Sequence, residues 1–185
     1  MPESINPWKI TGQKEIYDNP WLHITEYDVI NPGGGTGIYG KVHFKNTAIG
    51  IIALDDERNT YLVGQFRFVL NEYSWEIPEG GCPEGEDYLE AARRELLEET
   101  GLVASDWRLI LKSHLSNSVT DEYCVIFLAQ NLEQKVAEPE ETEELMVKKI
   151  PFSEVSARVE EGQITDAISI MAIQKLQWMI YSNQI

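Results

Sequence analysis

The alternation of apolar and polar residues divides the chain into recognisable elements. WLHITEYDVI (21–30) alternates and predicts a strand. NPGGGTG (31–37) is a cluster of turn residues. IYGKVHF (38–44) and TAIGIIALDD (47–56) predict two further strands, and DDERN a hairpin turn before the strand TYLVGQFRF (60–68). EIPEGGCPEGED (76–87) is rich in Gly and Pro and reads as a loop. EDYLEAARRELLEETG (86–101) is the clearest helix, with strong helix formers, acids at its start and Gly101 where a C-cap belongs. Strands follow at 107–116, 122–132 and 145–151. A short helix follows near 151–163, then a largely buried one over 166–183. Strands surrounding two or three helices imply a mixed sheet with helices on its faces.

On the central helix, Leu89, Ala92, Leu96 and Thr100 share one face and are expected to pack on the sheet. Glu95, Glu98 and Glu99 form the neighbouring strip, at the rim of the core. Like charges at that spacing cost a helix roughly 0.2–0.5 kcal/mol per pair. Arg94 stands four residues after Glu90 and four before Glu98, placed to brace the acids. An acidic strip is often only a solvated face. A divalent cation is the alternative, because it turns carboxylate repulsion into attraction, and hard ions such as Mg²⁺ favour carboxylate oxygens.

Composition narrows the setting. A chain of 185 residues suits one domain with a small appendage. The net charge of −16 and the lack of a basic stripe argue against a nucleic-acid partner. A phosphorylated small molecule would need local cations. The apolar runs are too short for a bilayer, so no membrane partner is expected, and the N-terminus does not read as a signal peptide. Two cysteines, Cys82 and Cys124, provide neither a disulfide framework nor CxxC metal spacing, which suits a reducing cytoplasm.

The segment GGCPEGEDYLEAARRELLEETGL resembles the signature box of the Nudix hydrolases. Gly80, Glu86, Arg94, Glu95, Leu96, Glu98, Glu99, Gly101 and Leu102 occupy every specified position. The resemblance implies an α+β fold, the Nudix α/β/α sandwich with a mixed sheet, and Mg²⁺-dependent hydrolysis of a nucleoside diphosphate derivative, with Mn²⁺ a substitute. It implies metal ligation by Glu95, Glu98 and Glu99, with the Glu79 carbonyl adding a ligand. Gly80, Glu86, Arg94 and Gly101 are implied to be structural.

The remainder is similar to the ADP-ribose pyrophosphatase and nucleotide-sugar branch of that family. GQFRF resembles the strand whose arginine contacts the diphosphate, which makes Arg67 a phosphate ligand; a surface ion pair is its alternative. WEIPEGG makes Glu76 a substrate-binding or box-bracing acid. SNSVTDE resembles a substrate loop in which Ser116 and Glu122 match. Asn117 and Ser118 depart from its Pro-Gly, which leaves nucleoside diphosphate sugars as the safer class. Tyr17 and Trp21 could stack on a base or serve as core or interface anchors. In the acidic stretch EPEETEEL, the resemblance makes Glu141 the base and Glu143 an extra metal ligand. It also implies that residues 1–45 form a β segment used in dimerisation and substrate contact, before a hydrolase domain at 46–185, and that the protein is a homodimer. The alternatives are hydrolysis of GDP-mannose or of dinucleoside polyphosphates, or a non-catalytic ligand-sensing Nudix domain.

Overall fold

The computed structural model describes residues 5–136 and 145–185, and these fall into two compact units. The first comprises the described residues up to Asn46 together with His114–Glu122. The second comprises Thr47–Ser113 and Tyr123–Ile185.

The first unit is an antiparallel meander of β1 (Lys9–Asp18), β2 (Leu22–Ile30) and β3 (Thr36–Phe44). Its turns are made by asparagine side chains that substitute for backbone acceptors. Asn19 Oδ1 accepts from the Trp21 and Leu22 amides at 2.8 and 2.7 Å. Asn31 Oδ1 accepts from the Gly33 and Gly35 amides, each at 3.0 Å, while Gly34 takes φ +88°. Register pairs His23 with His43, Thr25 with Lys41 and Tyr27 with Tyr39. The 114–122 segment joins the end of this sheet, since the Val42 amide donates to Val119 O and the Asp121 amide to Val42 O.

The second unit holds two sheets. One has the order β7 (Glu79–Cys82), β4 (Thr47–Ala53), β9 (Tyr123–Gln134), β8 (Leu102–His114). It is mixed, because β4 runs parallel to β9 and antiparallel to β7. The other is antiparallel, in the order β10 (Met146–Pro151), β5 (Asn59–Arg67), β6 (Glu72–Glu76). Strand β4 is apolar after Thr47 because both its faces are covered. Ile49, Ile51 and Ala53 pack with Ala91, Ala92 and Leu96 of α1 (Tyr88–Thr100). On the opposite face, α3 (Ala167–Tyr181) comes so close that a Cβ on Gly50 would stand 2.5 Å from Ile168. A third helix, α2 (Phe152–Glu160), packs on α3 and on β10. The result is the expected α+β architecture, a mixed sheet between helices. Among the described residues no helix is long and apolar enough to cross a membrane.

The sequence reading needs three corrections. Strand β1 falls in the β segment that the resemblance implied, but the pattern of apolar and polar residues did not mark it, because nearly all of it is exposed and two register shifts interrupt its pairing. The segment read as a loop over 76–87 contains β7 and the end of β6, and pairing with β4 draws Glu79–Cys82 into a strand despite its glycines. The strand expected from residue 107 begins at Leu102, directly after the helix.

Candidate active site

Helix α1 is delimited as its sequence suggested. Asp87 Oδ1 accepts from the Leu89 and Glu90 amides at 2.9 and 3.3 Å. Gly101 closes the helix in the left-handed region, at φ +70°. Ala92, Leu96 and Thr100 are buried and Leu89 packs against the core from its edge. The three acids flank this face. Glu99 is buried, and Glu95 and Glu98 retain 12% and 27% side-chain exposure.

Two arginines organise the surrounding acids, all within the second unit. Arg94 Nη1 donates to Glu95 Oε1 at 2.7 Å and to Glu98 Oε2 at 3.0 Å. Its Nη2 donates to Gly81 O at 2.9 Å and to Glu86 Oε2 at 3.2 Å. Burial alone would weaken the Arg94 cation, but the hydrogen bond to Glu86 and the charge of Glu95 outweigh it and raise its pKa. Arg94 thus contacts Glu86, Glu95 and Glu98, whereas Glu90 turns to Arg93.

Arg67 lies at the end of β5. Its Nε donates to Glu76 Oε1 at 2.9 Å and to Oε2 at 3.1 Å, and its Nη2 closes a second bond to Glu76 Oε2. Nη2 also reaches Glu79 Oε1 at 2.8 Å. The bonds to Glu76 raise the pKa of Arg67. Glu76 is itself buried at 3% exposure, so this fork is held rigidly.

Glu79 links the two groups. Its amide donates to Glu99 Oε2 at 3.0 Å. Its Oε2 is buried and has no hydrogen-bond partner among the described residues. Burial, followed by the charges of Asp166 and Glu76, pushes its pKa well above the ordinary value against the pull of Arg67. Glu76, Glu79 and Asp166 bring carboxylate oxygens within 4.8 Å of one another. An orphaned, buried carboxylate oxygen among other carboxylates suits a hard divalent cation, so the donor set fits such an ion.

Asp166 was not anticipated in the sequence. It is the N-cap of α3, accepting from the Ser169 amide at 2.7 Å, and Ser169 Oγ in turn accepts from the Ile77 amide at 2.9 Å. That ladder ties the start of α3 to the residue beside Glu76. An acid immediately before an apolar helical run was the available clue.

The remaining expected residues lie in the first unit or outside the described residues. Tyr17 and Trp21 are exposed, at the end of β1 and in the turn after it. Ser116 is exposed, and its carbonyl accepts from the Val119 and Thr120 amides. Glu122 is half-buried, its carbonyl accepting from the Leu115 amide. The first unit also contains a cavity of about 370 Å³ that the sequence did not announce, with Trp8, Tyr27 and Tyr39 among its walls. Trp8 packs edge-on against Tyr39 at 5.2 Å. Glu141 and Glu143 fall outside the described residues.

The glutamate-bearing helix, the glycine strand beneath it and the arginine-held acids define a Nudix site, and the chain belongs to the Nudix family. The NUDIX domain model matches residues 44–168, and the nucleoside diphosphate sugar hydrolase N-terminal domain model matches residues 8–42. The chain is 34% identical over 147 residues to an ADP-ribose pyrophosphatase of Mycobacterium tuberculosis, covering 77% of this chain and 70% of that protein. It is 30% identical to an ADP-ribose pyrophosphatase of Bacillus subtilis, covering 91% and 92%. A GDP-mannose pyrophosphatase of Yersinia enterocolitica is 27% identical over 89% of this chain and 93% of its own length. The solved structure of an ADP compounds hydrolase shares the fold at TM-score 0.86 and 21% identity, over 99% of this chain and 100% of that one.

Proposed function

We propose that this protein hydrolyses the diphosphate of a nucleoside diphosphate sugar, with ADP-ribose the first candidate, to a nucleoside monophosphate and a sugar phosphate. The observation that carries this reading is the joining of the box acids to the Arg67 group through the Glu79–Glu99 hydrogen bond. The family model matched at residues 8–42 and the names of the two 30–34% identical relatives support the substrate class.

In this reading Glu95, Glu98 and Glu99 hold Mg²⁺ or Mn²⁺, with Glu79 at the edge of the site and Glu143 an added ligand. Such an ion neutralises the diphosphate and lowers the pKa of a bound water. Arg67, fixed by Glu76, presents a planar cation to a phosphate. Arg94 bridges Glu95 and Glu98 through one nitrogen, offsets their repulsion and orients both. Glu141 assists deprotonation of the water. Tyr17, Trp21, Ser116 and Glu122 contact the substrate. Residues 1–45 act as the dimerisation segment of a cytoplasmic homodimer, and 46–185 as the hydrolase domain; two cysteines, both buried, accord with a reducing compartment.

A second reading within the same chemistry is GDP-mannose hydrolysis, which the Yersinia enterocolitica relative favours. The test is a panel of ADP-ribose, GDP-mannose, other nucleotide sugars and dinucleoside polyphosphates, with Mg²⁺ and product identification. Preference for ADP-ribose with release of AMP supports the first reading; preference for GDP-mannose selects the second. Sedimentation at low protein concentration tests the dimer, and a fully active monomer would exclude it.

A further inference from the structure

Outside the acidic site, one cluster in the first unit has the composition of a different metal site. His23 and His43 face each other across β2 and β3 in direct register. Side chains of such a pair start about 4.5–5.5 Å apart at Cβ. Both rings line a single cavity of about 380 Å³, with Gln13 and Thr25 beside them. Both are accessible, at 29% and 50% side-chain exposure.

Each ring is held through the same atom. His23 Nδ1 lies 3.1 Å from Asp18 Oδ1, with Glu15 Oε2 further off at 3.8 Å. His43 Nδ1 lies 2.8 Å from Asp121 Oδ2. An ionised carboxylate only accepts, so in each neutral ring Nδ1 carries the hydrogen and Nε2 the lone pair. Both acids are held ionised. Lys45 bonds Asp18 and Lys41 bonds Asp121, and each carboxyl lies below its ordinary range: hydrogen bonds from Lys45 and then His23 lower Asp18, and for Asp121 the bonds from Lys41 and His43 overcome burial. Among the described residues neither Nε2 has a hydrogen-bond partner. A carboxylate on Nδ1 with Nε2 left available is the arrangement that orients a metal-binding histidine and raises its basicity. Here it occurs twice, on opposed rings in one cavity.

We propose that His23 and His43 bind one borderline transition-metal dication, of the Zn²⁺, Ni²⁺ or Cu²⁺ class, through their Nε2 atoms. Gln13 and Thr25 offer neutral oxygens, and water completes the coordination. Imidazole selects these ions, whereas Mg²⁺ prefers the carboxylates of the second unit, so the two sites differ in the ion they take. Lys41 and Lys45 do not forbid a dication, because Asp121 and Asp18 already balance them.

The test is titration of chelator-treated, dialysed full-length protein with Zn²⁺ in excess Mg²⁺, following the ¹⁵N resonances of the ring nitrogens. The expected result is one equivalent bound, with the Nε2 resonances of His23 and His43 both moving. His23→Gln and His43→Gln should each weaken binding at least about tenfold, and Asp18→Asn by about 10–100-fold through its histidine. His114→Gln serves as the control and should bind as wild type. The proposal is overturned if the wild-type His23 and His43 resonances do not move, if either glutamine variant binds Zn²⁺ as tightly as wild type, or if Mg²⁺ displaces the ion. The wild-type resonances decide the matter even where a variant folds poorly.

Discussion

The α-carbon of Gly80 lies directly beneath the carboxyl group of Glu95: a Cβ at position 80 would stand 2.1 Å from Glu95 Cδ and 2.3 Å from both its oxygens. The glycine that opens the box is thus a matter of space on β7, because the carboxyl group of Glu95, fifteen residues further on in α1, occupies that space. Gly80→Ala should leave the fold intact and push Glu95 aside. The expected result is a fall in kcat/KM of about 10–100-fold and a raised Mg²⁺ concentration for half activity, comparable to losing a partner that orients a ligand. Wild-type Mg²⁺ dependence in this variant would show that the placement of Glu95 does not matter.

Arg67 offers a planar fork whose Nε and Nη2 are already engaged by Glu76 and Glu79. Lysine keeps the charge and loses that geometry. Arg67→Lys should raise KM about tenfold or more with a smaller effect on kcat, as expected where a contact is made to substrate and transition state alike. Steady-state kinetics check this, and an unchanged KM would leave Arg67 as a structural ion pair.

Glu79 makes the metal-free protein sensitive to pH. Its folded pKa lies above its ordinary value of 4.5, so the folded chain binds this proton more tightly than the unfolded one. The associated stability is complete below that value and is lost as pH rises through the folded pKa. Glu79→Gln removes the titration. In chelator at pH 8 the variant should be more stable than wild type by about 1 kcal/mol, or roughly 2–4 °C in Tm for a chain of this size. The gap should close as pH approaches 5. Thermal melts at the two pH values decide it, and parallel curves for both proteins would contradict the assignment.

The acids of the 138–144 stretch separate by kinetics. Glu141→Gln should lower kcat with KM little changed, as expected for a base. Glu143→Gln should raise the Mg²⁺ requirement. Wild-type behaviour of both in substrate and Mg²⁺ titrations would move the base to a box glutamate, with Glu98 the first candidate.

The sequence revealed most where local chemistry decides the structure. Helix α1 was legible from Asp87 to Gly101 because capping, propensity and the apolar face agree. The box glutamates were legible because their spacing is fixed on one helix. Strand β1 was not marked by its pattern, since it buries almost nothing, and β7 was not, since its conformation comes from pairing with β4, a strand distant in sequence. Asp166 and the His23–His43 pair were hidden for the same reason: each partner is distant in sequence, and only the packing of α3 or the register of β2 on β3 brings them together.

The central claim is that Glu95, Glu98 and Glu99 hold the divalent ion that makes diphosphate hydrolysis possible. The most direct measurement is ³¹P NMR of ADP-ribose incubated with wild-type protein, Glu98→Gln and Glu99→Gln across a Mg²⁺ titration. Wild type should give AMP and ribose 5-phosphate only with the ion present. Each variant should be slower by about 10²–10⁴, or about 3–5 kcal/mol of transition-state stabilisation, while its far-UV spectrum stays that of wild type. Undiminished turnover in either variant, or cleavage that persists in chelator, would contradict the claim.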